Sequence, residues 1–131
     1  MSQLIFICQA CGTPIENLHG HLGIDVTALA EYRAAAREWD AANPDGSGTM
    51  ASLLDHPAQV TWTTHHEACE PNTCGYCIQV DQIRDLKSLI KWTAHLMGKA
   101  WLADSDWDHL LEKIADGTDS RVRIAPSRAA P

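Results

Sequence analysis

The periodicity of apolar and polar positions switches between that of strands and that of helices several times along the chain, and the switches mark out its elements. Leu4 to Cys8 is a continuous apolar run of strand length, and Leu22-Gly23-Ile24 predicts a second short strand beside it. Asp25 then reads as a helix N-cap, because a carboxylate there can accept from the first free amides. Leu29, Tyr32, Ala36 and Trp39 follow at helical spacing, and the helix is expected to end near Asn43-Pro44. Asp45 to Thr49 forms a polar, glycine-rich loop. Gln59 to His65 sets Val60 and Trp62 against Thr61 and Thr63, the alternation of a half-buried strand. Glu70 to Thr73 makes a turn, and Tyr76 to Val80 alternates again with Tyr76, Ile78 and Val80 on one face. Beyond it Ile83, Leu86, Leu89, Ile90, Thr93, Met97 and Ala100 trace one apolar helical stripe. Ser105 and Asp108 resemble a capping box that opens a last helix carrying Trp107, Leu110, Leu111 and Ile114 and ending by Gly117.

This order of elements predicts an α+β fold: a small antiparallel sheet with about three helices, in a single domain over residues 1–117. Residues 118–131, polar and rich in Arg, Ala and Pro, are expected to be a disordered tail. Trp39, Trp62, Trp92, Trp101 and Trp107 supply most of the aromatic bulk for the core, with Trp101 and Trp107 expected to clamp the last two helices. Trp92 is expected at a core edge, with the stem of Lys99 lying over it.

Charge narrows the range of partners. With 17 acidic against 10 basic residues the formal net charge is −7. Nucleic-acid binding by phosphate neutralisation needs clustered Lys and Arg, so it is disfavoured and a protein partner of unknown identity is expected. No segment approaches the roughly 20 apolar residues of a membrane span. The apolar run at Leu4 to Ile7 is too short for a signal-peptide core and lacks a basic flank, so the expected location is cytoplasmic. Five cysteines in a reducing compartment point to metal rather than to disulfides.

The candidate ligands are Cys8, Cys11, His65, His66, Cys69, Cys74 and Cys77. Zinc takes four tetrahedral thiolate or imidazole donors, in pairs a few residues apart. Two sets satisfy that rule. Cys8-x2-Cys11 joins either His66-x2-Cys69 or Cys74-x2-Cys77. Paired Cys-x2-Cys motifs favour the all-thiolate set. Strand placement favours the other, since His66 and Cys69 lie just past the Trp62 strand while Cys77 sits inside a predicted one. A site rich in thiolates with ligands to spare reads as closed and structural, so no catalytic residues are expected.

The pattern Cys8-x2-Cys11-Gly12, then Trp62-Thr63-Thr64-His65-His66-Glu67-Ala68-Cys69-Glu70-Pro71, then Ile83-Arg84, then Trp92-Thr93-Ala94-His95-Leu96-Met97-Gly98-Lys99-Ala100-Trp101 resembles small uncharacterised proteins of bacteria and their phages. The likeness spans most of residues 4 to 115. It implies no activity. It does imply Cys8, Cys11, His66 and Cys69 as the zinc ligands, because the pattern has nothing at Cys74 or Cys77. Glu70 stands where that pattern has Asp.

The enzyme reading that competes is an HNH-like nuclease, in which an Asp-His pair activates water beside a metal. Asp55-His56-Pro57 resembles the start of such a motif. No suitably spaced Asn or second His follows it, and the chain is acidic where a nuclease meets phosphate. A zinc deaminase would place Pro before its Cys-x2-Cys pair, and Cys74-x2-Cys77 lacks it.

Overall fold

The computed structural model describes residues 3–16, 19–43, 56–69 and 75–125. Within them lie strands β1 (Leu4–Phe6), β2 (Gly20–Ile24), β3 (Thr63–His66), β4 (Tyr76–Gln79) and β5 (Val122–Ile124). The helices are α1 (Val26–Ala42), α2 (Leu86–Leu96) and α3 (Trp107–Asp116). The fold is α+β. Its strands form two antiparallel sheets, a three-stranded one in the order β3-β2-β4 and a two-stranded one pairing β1 with β5. The strand at Leu22 was expected beside the first. It instead occupies the centre of the larger sheet, with Leu22 opposite both Thr64 and Ile78. A central strand is buried along its length, which suits the apolar Leu22 and Ile24.

The helix ends follow their capping chemistry. Asp25 accepts from the amides of Thr27 (2.8 Å) and Ala28 (3.2 Å), as an N-cap carboxylate should. Asn43 closes the same helix, its amide donating to the Trp39 and Asp40 carbonyls. Gly117 ends α3 in the left-handed region at φ 72°, where residues with a Cβ are strained. The expected capping box at Ser105 does not form. Asp106 takes the N-cap position without a side-chain cap bond, and Asp108 is exposed. The Ser105 hydroxyl donates to Leu102 O (2.7 Å) and accepts from Trp62 Nε1 (3.1 Å) as well as, at 3.4 Å, from the Trp107 amide.

Trp62 is completely buried and meets the rings of Trp107 at 5.0 Å, Trp101 at 5.9 Å and Tyr76 at 6.3 Å, all edge-on or tilted. Such pairs add to what the buried area already contributes. Lys99 points its charged end at this cluster. Its ammonium sits 5.6 Å from the Tyr76 ring centroid, a cation–π contact at the margin of the same cluster.

The apolar stripe expected on α2 is rotated. Leu89 and Leu96 are buried, together with Ile83 before the helix, while Leu86, Ile90 and Met97 face outward. Two apolar flanks compete for the core, and the flank in register with the half-buried Trp92 prevails.

The largest departure from expectation lies at the C-terminal end. Residues 118–125 are ordered rather than a tail: β5 pairs Leu4 with Ile124 and Phe6 with Val122. The physical reason is Arg121. Its guanidinium is buried and donates to Asp119 (2.8 Å), to Asp106 (2.9 Å) and to the Trp62 carbonyl (2.8 Å). Burial disfavours both charges, yet Arg121 holds the Asp119 carboxyl below its ordinary pKa and is itself shifted upward. A polar composition was read as solvation, whereas here the charges satisfy one another. The glycine-rich loop at Asp45 to Thr49, the turn at Glu70 to Thr73 and residues 126–131 lie outside the described residues. No helix among the described residues is long and apolar enough to cross a membrane.

Removing one member of a buried ion pair leaves the others uncompensated. Arg121→Ala is therefore expected to cost about 3–5 kcal/mol in urea denaturation. Arg123→Ala, two residues away but exposed, should stay within about 0.5 kcal/mol. Equal effects of the two would remove Arg121 from the core.

Candidate metal centre

After β1 the chain makes a tight hairpin. Ile7 bridges Pro14, the Cys8 amide donates to Thr13 O (2.9 Å) and the Gly12 amide to Cys8 O (2.8 Å). Gly12 has φ 76°, so the turn that carries Cys8 and Cys11 depends on a residue without a Cβ. Gln9 docks this hairpin onto β3. Its amide donates to Thr64 O (2.8 Å) and its side-chain carbonyl accepts from the Thr64 amide (2.9 Å). The buried Thr64 hydroxyl donates to Ile7 O. A 3-10 turn over Glu67–Cys69 then folds Cys69 back toward the hairpin.

These contacts bring Cys8, Cys11, His66 and Cys69 together, with their ligand atoms all within 4.8 Å of one another. Cys11 Sγ lies 3.3 Å from His66 Nδ1, and the His66 amide donates to Cys8 Sγ (3.4 Å). The imidazole is oriented from behind, since Nε2 is 3.2 Å from the Pro14 carbonyl. A carbonyl only accepts, so Nε2 carries the proton and the Nδ1 lone pair faces the sulfurs. That outer hydrogen bond is the usual device for presenting a ligating histidine. A tetrahedral centre with Zn–S bonds near 2.3 Å has sulfur–sulfur edges of about 3.7 Å, so only small adjustments separate these donors from coordination. Three thiols and an imidazole in this arrangement can hold a metal ion.

The thiol electrostatics are uneven. Burial penalises the Cys8 thiolate, but the amides of His66, Cys11 and Ala10 aim at its sulfur and bring its pKa down to about 7. Cys11 is lowered by the Thr13 hydroxyl (3.1 Å) and amide. Cys69 is pushed up to about 11, by burial first and then by the neighbouring Cys8 and Cys11 thiolates. Three negative sulfurs so close repel, and without a cation one keeps its proton.

The other candidates are placed elsewhere. Cys77 lies on β4 opposite Gly23 and is disulfide-bonded, against the expectation of metal rather than disulfides, so it offers no thiolate. Cys74 and Asp55 lie outside the described residues. His65, the neighbour of His66 on β3, is half-buried opposite His21. His56 packs edge-on against Trp39 (4.8 Å) and Tyr32 (6.5 Å) of α1 and does not join the cluster. A depression of about 550 Å³ borders the cluster at His66 and Cys69. Its Glu16, His19 and Glu67 do not converge with the four donors. Gln9, Thr64 and Pro14 were missed from the sequence. The available signal was Thr64, a hydroxyl on the same strand face as Trp62 that needs a buried partner. No family model, curated protein or solved structure matches the chain.

Metal binding must displace the proton that Cys69 holds. Calorimetric titration in buffers of different ionisation enthalpy should show at least one proton released per metal bound near pH 8, rising below pH 7 as Cys8 protonates as well. Apparent affinity should accordingly fall by at least about tenfold per pH unit from pH 9 to 7, and more steeply below. An affinity flat in pH would mean that the thiols are not the ligands.

Proposed function

We propose that the cluster holds one structural zinc ion and that the protein is a small zinc-stabilised binding module acting through contact with another protein. The convergence of three thiols and one properly presented imidazole carries the metal assignment. Thiolate-rich Cys3His sets are typical of structural zinc. Four protein donors fill a tetrahedral centre and leave no position for a water to be activated, so neither hydrolysis nor deamination gains a nucleophile. Zinc here ties the Cys8–Cys11 hairpin to the end of β3, and binding of this kind contributes on the order of 10 kcal/mol to the folding of small domains. The net charge of −7 supports a protein rather than a nucleic acid as partner. The resemblance to bacterial and phage proteins makes a bacterial lysate the natural source for that partner.

The HNH-like nuclease is the reading this excludes if it holds. Elemental analysis of protein purified without chelator should give about one zinc per chain. Cys69→Ser should lose the metal and unfold at lower urea, while Cys77→Ser should keep it. The reverse ranking, or protein free of zinc with every thiol titrating, would defeat the assignment. Plasmid DNA should stay intact with Mg²⁺, Mn²⁺ or Zn²⁺ added, and metal-dependent nicking abolished by His56→Ala would establish the nuclease.

A further inference from the structure

Among the described residues four large hydrophobic side chains are exposed, and three of them, Leu86, Ile90 and Met97, belong to α2 or its C-cap. Ile90 and Met97 are 69% and 72% exposed, unusual for residues of their size. At spacings of four and seven they share one flank of the helix, so they form a stripe rather than scattered positions. The stripe continues into a groove of about 640 Å³ between α2 and α3, lined by Thr93, Met97, Leu102, Trp107 and Leu111. The floor is fixed, because Trp107 Nε1 donates to the Thr93 hydroxyl (3.2 Å).

The two banks of this trough carry opposite charge. Helix α2 contains no acidic residue, and its outer edge bears Lys87 and Lys91, both exposed. The outer edge of α3 bears Asp108, Glu112 and Asp116 at four-residue spacing, all exposed. A trough with one basic and one acidic bank is complementary to itself. A two-fold axis running along it lays α2 of each copy over α3 of the other. That sets Lys87 and Lys91 against the partner's acidic bank twice over, with Ile90 and Met97 entering the opposing groove. Closed two-fold pairing of this kind demands a patch that matches its own rotated image. An acidic or a basic peptide would satisfy only one bank.

We propose that this α2–α3 face binds a second copy of the chain as a symmetric dimer. The proposal does not depend on the identity of the metal.

Sedimentation equilibrium on the zinc-loaded full chain should show a monomer–dimer equilibrium that weakens as salt is raised. Replacing both anchors, Ile90→Glu with Met97→Glu, should raise the dissociation constant by roughly 30-fold or more while circular dichroism stays unchanged. Lys87→Glu with Lys91→Glu should be monomeric alone, as should Asp108→Lys with Glu112→Lys. Mixed together these two charge-reversed variants should restore the dimer, since each reversed pair of side chains then faces a bank of predominantly opposite sign. A wild-type monomer at all concentrations would overturn the proposal. So would a dimer indifferent to the anchor substitutions, or charge-reversed variants that fail to pair when mixed.

Discussion

One buried guanidinium ties the parts of this molecule to each other. Arg121 bonds the carbonyl of Trp62, while Asp106, which it also holds, accepts from the Trp62 amide at 2.8 Å. Both backbone groups of the central tryptophan are thus fixed by a single ion pair. The Arg121 carbonyl in turn accepts from the Ile7 amide at 2.8 Å, one residue before Cys8. A two-stranded ribbon such as β1–β5 is marginal by itself. It persists because its last turn is anchored by charges that have no other outlet, and an unpaired charge there would be intolerable.

The candidate metal centre inherits its geometry from that anchorage. Ile7 and Gln9 flank Cys8, and they are held by Arg121 and Thr64 from opposite sides, so Cys8 has little freedom. His66 follows Thr64 on β3 and is oriented by Pro14 from the hairpin itself. Two of the four donors are therefore positioned by hydrogen bonds that form without metal. What remains unfavourable is the crowding of sulfur charge, felt most by Cys69. A divalent cation able to accept several thiolates would relieve that crowding directly.

Much of this was legible from local chemistry. Asp25, Gly12 and Gly117 each serve the conformation that their side chains, or lack of one, require, and such signals do not depend on the rest of the chain. The cysteine spacing likewise pointed to the hairpin, though the choice of its distant partners rested on strand placement and resemblance. The failures share a cause in tertiary competition. Ser105 looked like the start of a capping box, but its hydroxyl is shared between the buried Trp62 indole and the Trp107 amide. The stripe through Leu86, Ile90 and Met97 looked like the core face, but periodicity cannot say which of two apolar flanks wins. Residues 118–125 looked solvated because the partners of Arg121 lie far away in sequence or hidden in a turn.

The pairing of Leu4 with Ile124 has a consequence for biosynthesis. Ribosomes add about 5–20 residues per second, so β1 emerges roughly 6–24 s before β5 exists to pair with it. Throughout that interval the nascent apolar segment Leu4–Phe6 offers an open edge, the kind of surface that recruits stray strands. The hairpin that follows it can be captured once Cys69 has been translated, well before β5 arrives. A metal ion bound at that stage would hold the hairpin to the end of β3 while the apolar segment still waits for β5.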